Sequence, residues 1–247
     1  MINENFLKLV VLDGGVAMVE MSNAPVNAMD KNFLNDLIEV FDEMENRNEI
    51  KVVVLTSSLK VFSAGLNLKE SKCYDIDQQI EIVEGLNKSF LRLFNFPKPF
   101  VAAINGAAIA GGFFPVLCSD YRVSSKNASF GLAEVKVGVS LPFGPMEIAR
   151  AMLCPNALRL IMQSGTPIDA EKAMNFGIID ELVEENFVLE NALKRANIYS
   201  KIPPKAYKAV KMQIRGSVIK LISANIENDY KNPKKAWFTD ETATAMM

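Results

Sequence analysis

The chain has 247 residues, 49% of them apolar, enough to bury a sizeable core in one large domain or two unequal ones. Its 27 basic and 29 acidic side chains leave a net charge of -2, which gives no concentrated basic surface for nucleic-acid phosphates, so any polyanionic ligand must be met locally. Histidine is absent, which removes Ser–His and Cys–His nucleophile pairs and imidazole zinc sites and leaves a carboxylate as the commonest remaining general base near neutral pH.

Met1–Glu4 carries an acid and no positive region ahead of an apolar stretch, and no run reaches the roughly 18 apolar residues of a membrane span. The expectation is a cytoplasmic protein with no secretory leader and no membrane partner. Leu7–Leu12 and Val16–Met21 are β-prone runs around the turn-forming Asp13-Gly14-Gly15, which predicts a hairpin. Lys31–Asn46 carries apolar residues at helical spacing behind Asp30 as cap, and Lys51–Leu55 reads as a buried strand. Ile76–Phe96 predicts a second amphipathic helix, ended by Pro97 and Pro99 before a strand at Phe100–Ile104.

Strands alternating with helices predict an α/β fold with parallel strands and ligands at their carboxyl ends. Beyond Gly165 the pattern becomes helical alone, over Asp169–Phe176, Glu184–Ile202 and Pro203 to about Ile226. The division expected is a core domain over residues 1–190 and a helical region over 191–247. Lys231-Asn232-Pro233-Lys234-Lys235 reads as a solvated basic loop. Cys73, Cys118 and Cys154 are odd in number and lack a CxxC pair, so neither a disulfide framework nor a thiolate metal site is expected, and buried apolar cysteines are.

Two segments leave strands with small residues where the chain must turn. They are Lys60-Val61-Phe62-Ser63-Ala64-Gly65-Leu66-Asn67-Leu68-Lys69 and Asn105-Gly106-Ala107-Ala108-Ile109-Ala110-Gly111-Gly112. Each could aim backbone N–H groups at a ligand, the second at the start of a helical stretch where negative charge is favoured. Neither has the GxxxxGK[ST] or GxGxxG spacing of a nucleotide loop. Alone, each is more often a tight turn; together they could converge on one developing oxyanion.

With Ala24-Pro25-Val26-Asn27-Ala28, Val61–Leu68 and Phe130-Gly131-Leu132-Ala133-Glu134 in view, the chain resembles the crotonase (enoyl-CoA hydratase/isomerase) family from about Val10 to Glu184, and within it the mitochondrial-type 3,2-trans-enoyl-CoA isomerases. The resemblance implies a crotonase-like spiral of ββα units with a C-terminal helical trimerisation region, assembled as a homotrimer or dimer of trimers. It implies an acyl-CoA thioester as substrate, with coenzyme A part of that substrate and no separate cofactor or metal. The two oxyanion donors fall on the N–H groups of Leu66 and Gly111, and contacts to adenine and pantetheine on Ala64, Leu66 and Leu68. Lys60 and Lys69 fall near the CoA phosphates, where plain surface exposure is the competing reading. Phe113, Phe114 and Phe143 fall near the acyl chain, where ordinary core aromatics are the competing reading.

The acids separate the family's reactions. Hydratases of the family hold water between two glutamates; here the first of those positions is Phe114, and Glu134 alone is a carboxylate. One carboxylate suffices to move a proton from C2 to C4 of a 3-enoyl thioester, giving the 2-trans-enoyl product of fatty acid β-oxidation. Asp120 reads instead as a structural cap or ion-pair partner, and Glu147 as an acid near a helix start. The competing functions are another crotonase reaction on an acyl thioester (decarboxylation, hydrolysis or hydration) and a non-catalytic CoA-binding homologue. The chain also ends at Thr242–Met247, ahead of the family's usual last helix, so the lysine or aromatic which that helix brings to CoA is expected to be absent or replaced.

Overall fold

The computed structural model describes residues 6–231 and 237–245. β1 (Leu7–Leu12) and β2 (Val16–Met21) form the antiparallel hairpin expected from the Asp-Gly-Gly turn, where Gly14 takes φ 77°. β3 (Ala28–Met29) leads into α1 (Lys31–Asn46), whose first turn is held by the Asp30 carboxylate accepting from Phe33 N–H at 2.8 Å. β4 (Val52–Ser57) is buried at every residue, as a strand covered on both faces must be. β5 (Gly65–Leu66) and α2 (Leu68–Ser71) precede α3 (Ile76–Phe94), which opens with a reciprocal Asp75–Gln78 capping box.

The second half begins with β6 (Phe100–Ile104) and β7 (Ala108–Ile109), then a 3-10 turn at Ala110–Phe113 and α4 (Phe114–Cys118). β8 (Tyr121–Ser125) and β9 (Ser129–Gly131) lead to a second 3-10 turn, Glu134–Val137. α5 (Phe143–Met152), α6 (Pro155–Ser164), β10 (Ile168–Asp169), α7 (Ala170–Asn175) and β11 (Glu181–Val183) follow. The described chain closes with α8 (Val188–Tyr199), α9 (Pro204–Lys231) and α10 (Asp240–Ala245).

Six strands form the main sheet in the order β1-β2-β4-β6-β8-β11, parallel from β2 onward; β10-β9-β7 and β3-β5 form two small sheets beside it. One face of the main sheet meets α8 through Val52, Val54, Val101, Ala103 and the helix residues Val188, Ala192 and Ala196. The other face builds the larger core with α1 and α3, including Phe33, Phe41, Phe90 and Phe94. α8 crosses residue 190, so the helix that follows β11 is itself a layer on the sheet. The loops after β4 and β6 leave the carboxyl ends of parallel strands and run toward β5 and β7.

Three expectations change. The region beyond Gly165 is not helical alone, because β10 pairs with β9 and β11 adds the last parallel strand beside β8. Glu181-Leu182-Val183 is too short to alternate, and its pairing comes from the open edge of β8 rather than from local preference. The helix expected from Glu184 begins at Val188, after a 3-10 turn at Glu185–Phe187. Cys118 is buried as expected, but Cys73, two residues beyond α2, and Cys154, the N-cap of α6, are exposed. Among the described residues no helix is long and apolar enough to cross a membrane. Asn232–Lys235 of the basic cluster lie outside the described residues.

Candidate active site

The two glycine-bearing loops cross one another. A Cβ placed on Gly112 would lie 2.3 Å from the Ser63 carbonyl oxygen, so only glycine lets the second loop pass this close to the first. A knot of hydrogen bonds fixes the crossing. Buried Asn27 donates through Nδ2 to Ser57 Oγ (2.7 Å) and Phe62 O (2.9 Å), Ser63 Oγ donates to Asn27 O (2.7 Å), and Ile109 N–H donates to Ser63 O (3.0 Å). Asn27 itself takes φ 49° and Ala110 takes φ 50°, a region uncommon for residues bearing a Cβ. Such strain persists where surrounding bonds over-determine the backbone, as they do here.

The crossing brings Leu66 and Gly111 side by side. Asn67 N–H donates to Met29 O (2.9 Å), so the Leu66 N–H, one residue earlier in the extended segment, faces the other way. A Cβ on Gly111 would stand 3.7 Å from Leu66 N, and one on Gly65 would stand 2.8 Å from Gly111 N. Gly111 lies in the first turn of a 3-10 helix, where N–H groups have no partner within the turn. Two main-chain donors therefore adjoin one space, and Gly65, at φ 81°, leaves it open.

That space belongs to a cavity of about 160 Å³ lined by Ala64, Leu66, Leu68, Gly111, Phe114 and Glu134 together with apolar side chains from α3, α5 and the chain end. Among the described residues Glu134 is the only ionisable one in the lining. It heads the 3-10 turn that follows β9, and its Oε2 is enclosed with no hydrogen-bond partner among the described residues. Burial among apolar walls pushes its carboxyl up to about 7, against the opposing pull of its own backbone N–H. A group so placed is divided between acid and base near neutrality, as proton transfer to and from carbon requires.

The other sequence-derived residues divide. Phe114 lines the cavity and stacks on Phe90, with ring centroids 4.8 Å apart and planes at 17°. Phe113, its neighbour in a helical turn, faces away and packs against Phe130 in the core at 5.8 Å. Phe143 opens α5 and packs on the core without lining the cavity. Phe113 and Phe143 are thus the core aromatics of the competing reading. Lys60 and Lys69 are exposed on either side of the first loop and outside the lining. Asp120 is an ion-pair residue: it meets Lys211 Nζ at 2.6 Å and Arg215 at 3.0 Å, and accepts from Phe100 N–H at 2.9 Å. Glu147 lies within α5 rather than at its start, pairs with Arg150 and is absent from the lining.

Sequence reasoning missed Trp237 and Phe238, which stack at 5.1 Å and cover one side of the cavity. Trp237 Nε1 donates to Ser140 O (2.9 Å), Phe238 N–H donates to Gln79 Oε1 (3.0 Å), and Thr242 Oγ1 donates to Gly138 O (2.9 Å), fastening this segment to α3 and to the end of the turn that carries Glu134. An aromatic pair from the end of the chain does reach the cavity. Nothing in its spacing announces this, although a Trp-Phe dipeptide in a polar stretch is itself unusual.

The family pattern described as enoyl-CoA hydratase/isomerase matches residues 12–246. Human mitochondrial enoyl-CoA delta isomerase 1 is 30% identical over 221 residues, covering 88% of this chain and 73% of that protein. The probable enoyl-CoA hydratase EchA17 of Mycobacterium tuberculosis is 31% identical over 215 residues, covering 85% and 82%. Among solved structures, human mitochondrial delta3-delta2-enoyl-CoA isomerase superposes with a TM-score of 0.91 at 27% identity, covering 97% of this chain and 95% of that one. An apo enoyl-CoA isomerase of Mycobacterium tuberculosis gives 0.85 at 26%, covering 92% and 99%. The chain has the crotonase fold and belongs to the enoyl-CoA hydratase/isomerase family.

Proposed function

We propose that this enzyme shifts the double bond of a 3-enoyl-CoA to give the 2-trans-enoyl-CoA of fatty acid β-oxidation. The observation that carries the proposal is the solitary acid: among the described residues Glu134 stands alone in a cavity whose other side chains are apolar. An ordered water needs two to four polar partners; with the Leu66 and Gly111 N–H groups taken by the thioester oxygen, Glu134 is left to hold it and the ring of Phe114 adds none, so the lining disfavours holding a water for addition across a double bond.

In the proposed reaction the Glu134 carboxylate takes a proton from C2. The electron pair moves into the thioester as an enolate, and the N–H groups of Leu66 and Gly111 hold the oxyanion. The protonated Glu134 then delivers the same proton to C4 while the double bond forms between C2 and C3. Enclosure serves both ends, because it keeps the carboxylate basic and strengthens the donors' field. Ala64 and Leu68 at the mouth would meet the pantetheine, and Lys60 and Lys69 would meet the CoA phosphates. Coenzyme A enters as part of the substrate, and the steps need no other cofactor. Assembly into trimers belongs to the same proposal: Val210, Ile214 and Leu221 leave an exposed apolar stripe along α9 at i, i+4 and i+11 for other copies to cover.

A paired assay of 3-enoyl-CoA isomerisation and 2-enoyl-CoA hydration tests the reading. Isomerisation is expected to dominate, and Glu134→Gln is expected to lower its kcat by about 100- to 10,000-fold while the protein stays folded. Hydration at rates rivalling isomerisation, or isomerisation that survives the substitution, would overturn it.

A further inference from the structure

The cavity has a direction, given by the exposure of its walls. Leu68 at one end is 38% exposed and Ala64 is exposed, whereas Leu86, Phe90 and Phe114 at the other end are 5%, 0% and 1% exposed. Phe90 comes from α3 and Phe114 from α4, and their rings lie nearly parallel at 4.8 Å. Behind them the fully buried Cys118 donates its thiol to Phe90 O at 3.5 Å, so core stands behind the pair. Interiors packed this closely resist the movement of two interlocked rings.

A ligand held at the Leu66 and Gly111 donors, with its carrier leaving past the exposed Ala64 and Leu68, would run its tail toward this closed end. The room available is about 160 Å³, including the space beside the donors. An apolar cavity of roughly 150 Å³ accommodates a six-carbon ring. On the reading of the site as an acyl-thioester site, we infer that it selects short acyl chains, best at about six carbons counted from the thioester carbonyl, and that the stacked Phe90–Phe114 pair is the end-stop that sets this length.

Each methylene buried in the cavity should raise affinity about fourfold until the rings are reached. Further carbons then have to displace packed rings or leave the donors. Phe90 is a specificity-determining residue in this account, apart from the proton chemistry.

Binding separates this inference from the isomerase reading, because saturated acyl-CoAs bind without reacting. Calorimetric titration of the full chain with saturated acyl-CoAs of four to twelve carbons should show affinity rising to six carbons and falling at least tenfold by twelve. Phe90→Ala should move the maximum to eight carbons or beyond, and Phe90→Leu, a milder truncation, should move it in the same direction if the alanine variant does not fold. Affinity that climbs steadily to twelve carbons in the unaltered protein, or a maximum that stays in place in the variants, would overturn the end-stop. A clear length maximum without turnover of any 3-enoyl-CoA would uphold the end-stop and overturn the isomerase reading instead.

Discussion

Asp120 and Glu134 are both acids drawn out of bulk water, and they differ in what surrounds them. Asp120 is gripped by Lys211, Arg215 and the Phe100 N–H, and Arg215 also donates to the carbonyls of Phe94, Cys118 and Ser119. Burial pushes the Lys211 ammonium down to about 8, with Asp120 opposing the shift. This cluster joins α9 to the sheet and to the end of α4. Among the described residues Glu134 has no cation beside it and its Oε2 has no hydrogen-bond partner. A buried charge that is matched fastens elements together, whereas an unmatched one is left with a proton to exchange.

The comparison breaks first on Asp120. Asp120→Ala should strand Lys211 and Arg215 and destabilise the protein by about 3–5 kcal/mol in urea titrations. A midpoint that hardly moves would show that the cluster does not fasten α9. On the other side, Gly65→Ala places a Cβ 2.8 Å from both Gly111 N and Ile109 O at a residue with φ 81°. The loss expected is roughly 100- to 1,000-fold in kcat, the usual consequence of losing one oxyanion donor. A fall in stability with unchanged turnover of the folded protein would separate Gly65 from the donors.

The third and smallest effect concerns pH. The Glu134 carboxyl sits at about 7 in the fold against an ordinary value of 4.5, so the native state binds the extra proton between these values. Its contribution to stability is therefore lost as pH rises from about 4.5 and is fully lost above about 7. Glu134→Gln should leave stability unchanged near pH 4 and raise it by on the order of 2 kcal/mol at pH 8. Equal thermal midpoints of the two proteins at pH 8 would show that Glu134 is not held out of water.

Much of the frame could be read from the residues, because α1, α3 and the first hairpin carry their own instructions in Asp30, the Asp75–Gln78 box and Asp13-Gly14-Gly15. β11 could not, since three residues gain their strand character only from the edge of β8. The glycine loops were visible as turns, and their crossing at Gly112 and Ser63 was not, because it depends on two strands lying next to each other in the sheet. Phe113 and Phe114 look alike in sequence; the helical rotation between them, set by packing on Phe130 and Phe90, decides which one meets the cavity. Trp237 and Phe238 reach the site through their contacts to Ser140 and Gln79 respectively, a separation along the chain that no local pattern encodes.

The main-chain origin of the two proposed donors has a consequence for how the protein could change. An amide N–H belongs to every residue except proline, so no ordinary substitution at Leu66 removes its donor; only bulk at Gly65, or a loosened Asn27–Ser63 knot, displaces it. On the proposed reading, the polarising half of the site is thus insulated from side-chain replacement, while the half that would decide which atom gains or loses a proton rests on the single residue Glu134 and on the ring at position 114. Altering the reaction while retaining the thioester grip should be a matter of redrawing the lining, with the crossed loops left as they are.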